Sequence, residues 1–319
     1  MSSRQGQNTR ALTEGALLAA LTIVLYVANV YTQFLIYIIP VPVAILVVRN
    51  GLRTGGVASV VAALGVGLVL GPIDGVTVLI RVALVGLTMG VLMGRRTAAV
   101  PTLLATALAS VAVVVSDFLI VAATSGLSVS QMLERTRQAL TEGSSQAIAL
   151  YEKMGVPAQA LESFKTMTDL LPQWFQMFLP TIVLGGAMLA AVISYSAAAW
   201  VLKRTKKEVE PIPPFGEWRL GWQWSWGLIA ALMLGQAASA LGIGFLPTLS
   251  RNVMMSYVLL YAVMGMALAW WLLKRYNVNR GFRIFILLMV YMTPPLNWLF
   301  ILAGLLDGWM DFRKLTSRA

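Results

Sequence analysis

Residues 15–48 read GALLAALTIVLYVANVYTQFLIYIIPVPVAILVV, a stretch without one Asp, Glu, Lys or Arg. A helix crosses a bilayer with roughly 20 apolar residues. This run is therefore long enough for two crossings, and the polar Asn29 and Gln33 at its middle mark the turn between them. Charge-free runs recur at 55–73, 82–94, 97–116, 172–202, 220–250, 252–273 and 284–306. The pattern predicts an all-α, polytopic transmembrane helix bundle.

Composition agrees. Of 319 residues 58% are hydrophobic and 12% charged, with a mean hydropathy of +0.78, whereas soluble chains carry about 25% charged residues. The chain has no Cys, which excludes a disulfide scaffold and thiol redox chemistry, and no His, which removes the usual zinc or haem ligand and general base. No P-loop, GxSxG or paired acidic motif appears, so neither an intrinsic ATPase nor an enzyme is expected, and no cofactor or metal. A net charge of +11 suits a nucleic-acid partner only when the cations share one exposed face. Here they punctuate the apolar runs, so the partner is the lipid bilayer and not nucleic acid.

Eight crossings are expected, at about 11–28, 34–49, 55–71, 75–94, 100–123, 175–202, 223–246 and 253–273. A last apolar stretch, 282–306, carries Thr293, Pro294, Pro295 and Asn297 at its centre, and reads either as a kinked ninth crossing or as a re-entrant segment. With the N-terminus in the cytoplasm, 15 of 24 basic residues fall inside, among them Arg4, Arg10, Arg49, Lys203 and Arg204. Only Arg135, Arg137, Lys153, Lys165 and Arg251 fall on far-side connections. This bias orients the chain with its N-terminus inside, and Arg313, Lys314 and Arg318 would also prefer the cytoplasm, which favours eight crossings with a re-entrant last segment and leaves the ninth crossing as the alternative. The opening MSSRQGQNTR mimics a signal peptide, but no small-residue cleavage site follows, so the segment is expected to be retained.

Five regions follow: 1–123 with five crossings, 124–172 outside, 173–202 as the sixth crossing, a linker at 203–222, and 223–319 with the C-terminal helices. The outer segment has apolar residues at helical spacing and a break at Gly155, Val156 and Pro157, predicting a helical hairpin that lies on the bundle or the membrane surface. The linker, with Pro211, Pro213 and Pro214, is expected to run extended towards an interfacial belt of Trp218, Trp222, Trp224 and Trp226.

Ionisable residues at membrane depth are costly and mark sites. Arg81 and Asp117 lie at nearly the same depth on neighbouring antiparallel crossings and are placed to pair. Asp74, in the turn GPIDG, is two turns from Arg81 on one helix face. A neutralising ion pair and a polar binding cavity both fit this placement, and Asn29 and Gln33, in the first external turn, would complete a polar mouth. Small residues recur at spacing four: Ala16 and Ala20; Ser59, Ala63 and Gly67; Gly86, Gly90 and Gly94; Gly186, Ala190, Ser194 and Ala198. Such stripes let helices approach closely in lipid. The last three sets are expected to pack internally, and Ala16 with Ala20 to dock a second protein.

Two resemblances rest on these residues. RALTEGALLAALTIVLYVANVY, followed by YIIPVPVAILVVRNGLRTGGVASVVAALGVGLVLGP, resembles the first three helices of the substrate-binding components of energy-coupling-factor transporters. Over nearly its whole length, and with PIPPFGEWRL and GLLDGWMDFRKL as the carrying motifs, the chain resembles the YybS-like family of bacterial membrane proteins. The resemblances imply a six-helix substrate-binding fold with extra helices. They also imply docking of a transmembrane coupling subunit with ATPases on Ala16 and Ala20, and capture of a small-molecule ligand near Arg81 and Asp117. The alternative expectation is a non-transporting scaffold for envelope, division or sporulation proteins.

Overall fold

The computed structural model describes residues 2–293 and 295–314, the side chains of residues 2–8, 10 and 238–241 excepted. Pro294, Arg318 and the side chains of Arg4 and Arg10, named above, lie outside the described residues. Among the described residues the regular elements are helical. In chain order they are α1 (Ser2–Thr32), α2 (Val41–Asn50), α3 (Leu52–Leu70), α4 (Pro72–Arg81), α5 (Thr88–Gly94), α6 (Ala99–Ser125), α7 (Val129–Lys153), α8 (Ala158–Arg204), α9 (Ser225–Leu241), α10 (Leu246–Arg275), α11 (Arg280–Met292) and α12 (Asn297–Met310). A π-helical segment, Val82–Leu87, joins α4 to α5.

Among the described residues six helices are able by length and composition to cross a membrane: Ala11–Thr32, Leu52–Leu70, Pro72–Gly94, Ala99–Ser125, Ala158–Arg204 and Leu246–Arg275. The pair α11 and α12, bent by 107°, makes seven if it is one broken span. The count departs from eight at two places. Pro40 and a 3-10 turn at Leu35–Tyr37 break the 34–49 stretch, so that α2 keeps 10 residues. Gly242, at φ 66°, ends α9 after 17.

The helical hairpin expected over residues 124–172 forms with its break at Gly155 to Pro157. Ser128 and Gln131 make a capping box at the start of α7. Across the hairpin Lys165 pairs with Glu152 at 2.9 Å and the Tyr151 and Phe164 rings meet edge-on at 5.2 Å. Yet α7 buries none of its residues, so it is not a packed cap. Nothing between Ala158 and Arg204 ends α8, since Pro172 and Pro180 are carried inside it. Its 47 residues rise about 70 Å, against a hydrocarbon core of roughly 30 Å. The helix that begins in the hairpin is thus longer than a bilayer crossing needs.

The chain forms two compact units, Met1–Pro172 with Ile182–Ile212, and Gln173–Thr181 with Pro213–Ala319. The hub of the first is α2. Every residue from Val41 to Val47 is buried, as suits a helix apolar all round. One face joins Met89, Met93, Leu103, Tyr195 and Leu202; another joins Tyr26, Val66, Val78 and Val82; Leu46 meets Ala19, Ala58 and Ala62. Glycine makes this approach close. A Cβ on Gly86 would stand 3.0 Å from the Pro40 carbonyl oxygen, and one on Gly90 would stand 2.8 Å from that of Ala44. Gly75 meets Ala63 and Gly67 of α3 in the same way. Two of the small-residue stripes are therefore internal contacts. Of the fourth, Ser194 and Ala198 are buried, and Ser194 Oγ donates to the Tyr37 carbonyl at 2.5 Å. Gly51 (φ 87°) and Gly71 (φ 116°) form the one-residue joints on either side of α3, a left-handed conformation glycine adopts freely.

In the second unit α10 and α12 meet backbone to backbone at Gly265 and Gly304. Asn252 of α10 is buried and reaches residues 173–181. Its Nδ2 donates to the Met177 carbonyl at 2.8 Å, and its Oδ1 accepts from the Thr181 amide at 3.1 Å. The amide group thus bridges a backbone pair four residues apart, beside Pro180, which has no N–H of its own.

Candidate functional site

In the first unit the ionisable residues of α4 and α6 converge. Arg81 Nη2 meets Asp117 Oδ2 at 2.6 Å. Arg81 closes α4 and directly precedes the π segment, a helix irregularity that recurs at functional sites because it turns side chains out of register. Asp74, in the first turn of α4, has its carboxylate at the positive end of the helix dipole. Its Oδ1 accepts a hydrogen bond from Tyr26 Oη at 3.1 Å. Through this bond Tyr26 of α1 is joined to the helix that carries Arg81.

The cluster is incompletely satisfied. Arg81 Nε, Asp117 Oδ1 and Asn29 Oδ1 are buried without a hydrogen-bond partner. Asn29 lies three residues beyond Tyr26, inside α1, because that helix runs on to Thr32 instead of turning at Asn29. Buried polar atoms are nearly always paired, and an unpaired one costs about 1–3 kcal/mol. The Arg81–Asp117 pair thus keeps one donor and one acceptor of its own to offer, and Asn29 a further acceptor on α1. Gln33 does not join them: it sits past the helix end at φ 57° and is exposed. Among the described residues no three His, Cys, Asp or Glu stand together to hold a metal ion.

Tyr26 is the member that sequence reading missed. The signal was present, since Gly15, Ala19, Thr22 and Tyr26 recur at helical spacing and form the buried stripe of α1. Ala16 and Ala20 sit one residue away and are exposed, so the outward stripe of α1 takes no part in packing this unit.

A second charged cluster lies in the other unit and joins the two motifs PIPPFGEWRL and GLLDGWMDFRKL. Arg313, 2% exposed, donates to the carbonyls of Gly216 at 2.5 Å and Trp218 at 2.8 Å and to Asp307 Oδ2 at 2.6 Å. Arg219 donates to the carbonyls of Asp307 and Gly308, both at 3.1 Å, and pairs with Asp311 at 3.1 Å. Such fork-shaped, charge-assisted bonding fixes geometry. It ties the linker to the end of α12, a locking role. Trp222, Trp224 and Trp226 remain more than half exposed, at 52%, 52% and 60%, as suits side chains at a bilayer surface.

No curated protein and no solved structure matches the chain. The chain belongs to the family described as "Predicted membrane protein (DUF2232)", whose model matches residues 16–308.

Proposed function

We propose that this integral membrane protein is a binding subunit for uptake, which captures a small polar molecule at the cluster of Tyr26, Asn29, Asp74, Arg81 and Asp117. The observation that carries this reading is the Arg81–Asp117 pair at 2.6 Å, whose Arg81 Nε and Asp117 Oδ1 are buried and without a hydrogen-bond partner. Donors and acceptors left unpaired at membrane depth are costly. The likeness of the first three helices to energy-coupling-factor binding components supports the same reading. So does the exposed Ala16 and Ala20 stripe, on which a coupling subunit with its ATPases would dock. An N-terminus in the cytoplasm, the orientation that the Lys and Arg bias favours, would turn the cluster towards the outside. No catalytic chemistry is assigned.

A second reading, a scaffold for envelope proteins, is favoured by α7, 25 residues without a buried one. Purification separates the two. A binding subunit retains a small molecule that is lost when Arg81 and Asp117 are neutralised, whereas a scaffold retains envelope proteins that are lost when residues 129–153 are removed.

A further inference from the structure

On the first unit a groove of about 800 Å³ runs between α1 and α8 over the floor of α2. Its walls are apolar, with Leu18, Leu21, Leu25, Ile38 and Ile45 among them, and one end is charged. There Arg49 Nε pairs with Glu14 at 2.6 Å, with about a quarter of the Arg49 side chain still exposed at 24%. Trp200 lines the same groove, and the Arg204 guanidinium stacks 3.9 Å from its ring centroid. Glu14 and Arg49 are the charged lining residues, and Arg204, which stands beside the groove on Trp200, adds a positive charge next to it.

We infer that this groove is a binding site for one anionic phospholipid, its acyl chain along α1 and its phosphate on Arg49 and Arg204. Length is the first argument. From Glu14 to Leu25 the groove follows α1 for about 16 Å at 1.5 Å per residue, and one leaflet is about 15 Å, half of the roughly 30 Å hydrocarbon core. Charge is the second. The guanidiniums stand at one end only, the end that the basic-residue bias assigns to the cytoplasmic leaflet, whose anionic headgroups attract basic residues. Lining chemistry is the third. A transmembrane helix docks through small side chains that let backbones approach, and here the lining is dominated by Leu, Ile and Val, which fit a flexible chain.

The test uses the full chain in detergent, with palmitoyl-oleoyl phosphatidylglycerol or phosphatidylcholine added and the bound lipid counted by native mass spectrometry. The expected result is one retained phosphatidylglycerol, preferred about tenfold, as for one charge-assisted contact. Ala197→Trp, which fills the groove, should lose both lipids. Arg49→Gln should keep one lipid without the preference, and Glu14→Gln, which frees Arg49, should raise it. The inference is overturned if the two lipids bind equally to the native chain, if Ala197→Trp retains phosphatidylglycerol fully, or if a copurified protein occupies the groove in place of lipid.

Discussion

Arg81 and Asp117, 36 residues apart in the chain, meet at 2.6 Å inside the first unit. Removing one partner of a buried pair strands the other charge. Asp117 keeps 31% of its side chain exposed, so the loss should fall below the fully buried range. Arg81→Leu and Asp117→Leu should each cost about 2 kcal/mol, and the double variant should recover at least half. Thermal unfolding in detergent checks this, and strict additivity of the two losses would break the coupling.

Gly90 lies where a Cβ would stand 2.7 Å from Val47 Cβ and 2.8 Å from the Ala44 carbonyl oxygen, whereas one on Gly56 meets nothing within 4 Å. Gly90→Ala should therefore cost about 1–3 kcal/mol through overpacking, and Gly56→Ala should stabilise by about 0.5–1 kcal/mol through helix propensity. Equal melting temperatures for the two variants would contradict the hub role of α2.

Reading the sequence found the depth match of Arg81 and Asp117 because both sit on long, regular runs where counting residues measures depth. Tyr26 escaped because tyrosine in an apolar run looks like an interfacial anchor, and only the register of Gly15, Ala19 and Thr22 turns it inward. The knot of Arg219, Arg313 and Asp307 is not readable from local pattern: its partners lie about 90 residues apart, and pairing at that separation is decided by tertiary packing. The same holds for Asn252, whose partners Met177 and Thr181 belong to a helix 75 and 71 residues away. The crossing count shifted because apolar length alone does not show where Pro40 and Gly242 stop a helix.

Arg313 makes three hydrogen bonds through its fork, a geometry lysine does not reproduce. Arg313→Lys should cost about 2–3 kcal/mol, the scale of a lost charge-assisted bond. Thermal unfolding in detergent reads the loss, and a native-like midpoint would show that the linker is held by other contacts.

Ser145 lies exposed on α7 and Lys206 exposed past the end of α8, in a chain with no native cysteine. An impermeant thiol reagent on intact cells should label Ser145→Cys and should reach Lys206→Cys only after permeabilisation. The reverse pattern would invert the orientation.

The central claim is that the cluster around Arg81 and Asp117 holds a small polar molecule. The direct measurement is mass spectrometry of small molecules extracted from the purified chain and from the Arg81→Gln, Asp117→Asn double variant, which removes both charges together and keeps both side chains polar. The account predicts one polar compound near one per chain in the native protein and at least about tenfold less in the variant, the scale of one lost charge-assisted bond. An identical set of small molecules in both, with the variant folded, would contradict it.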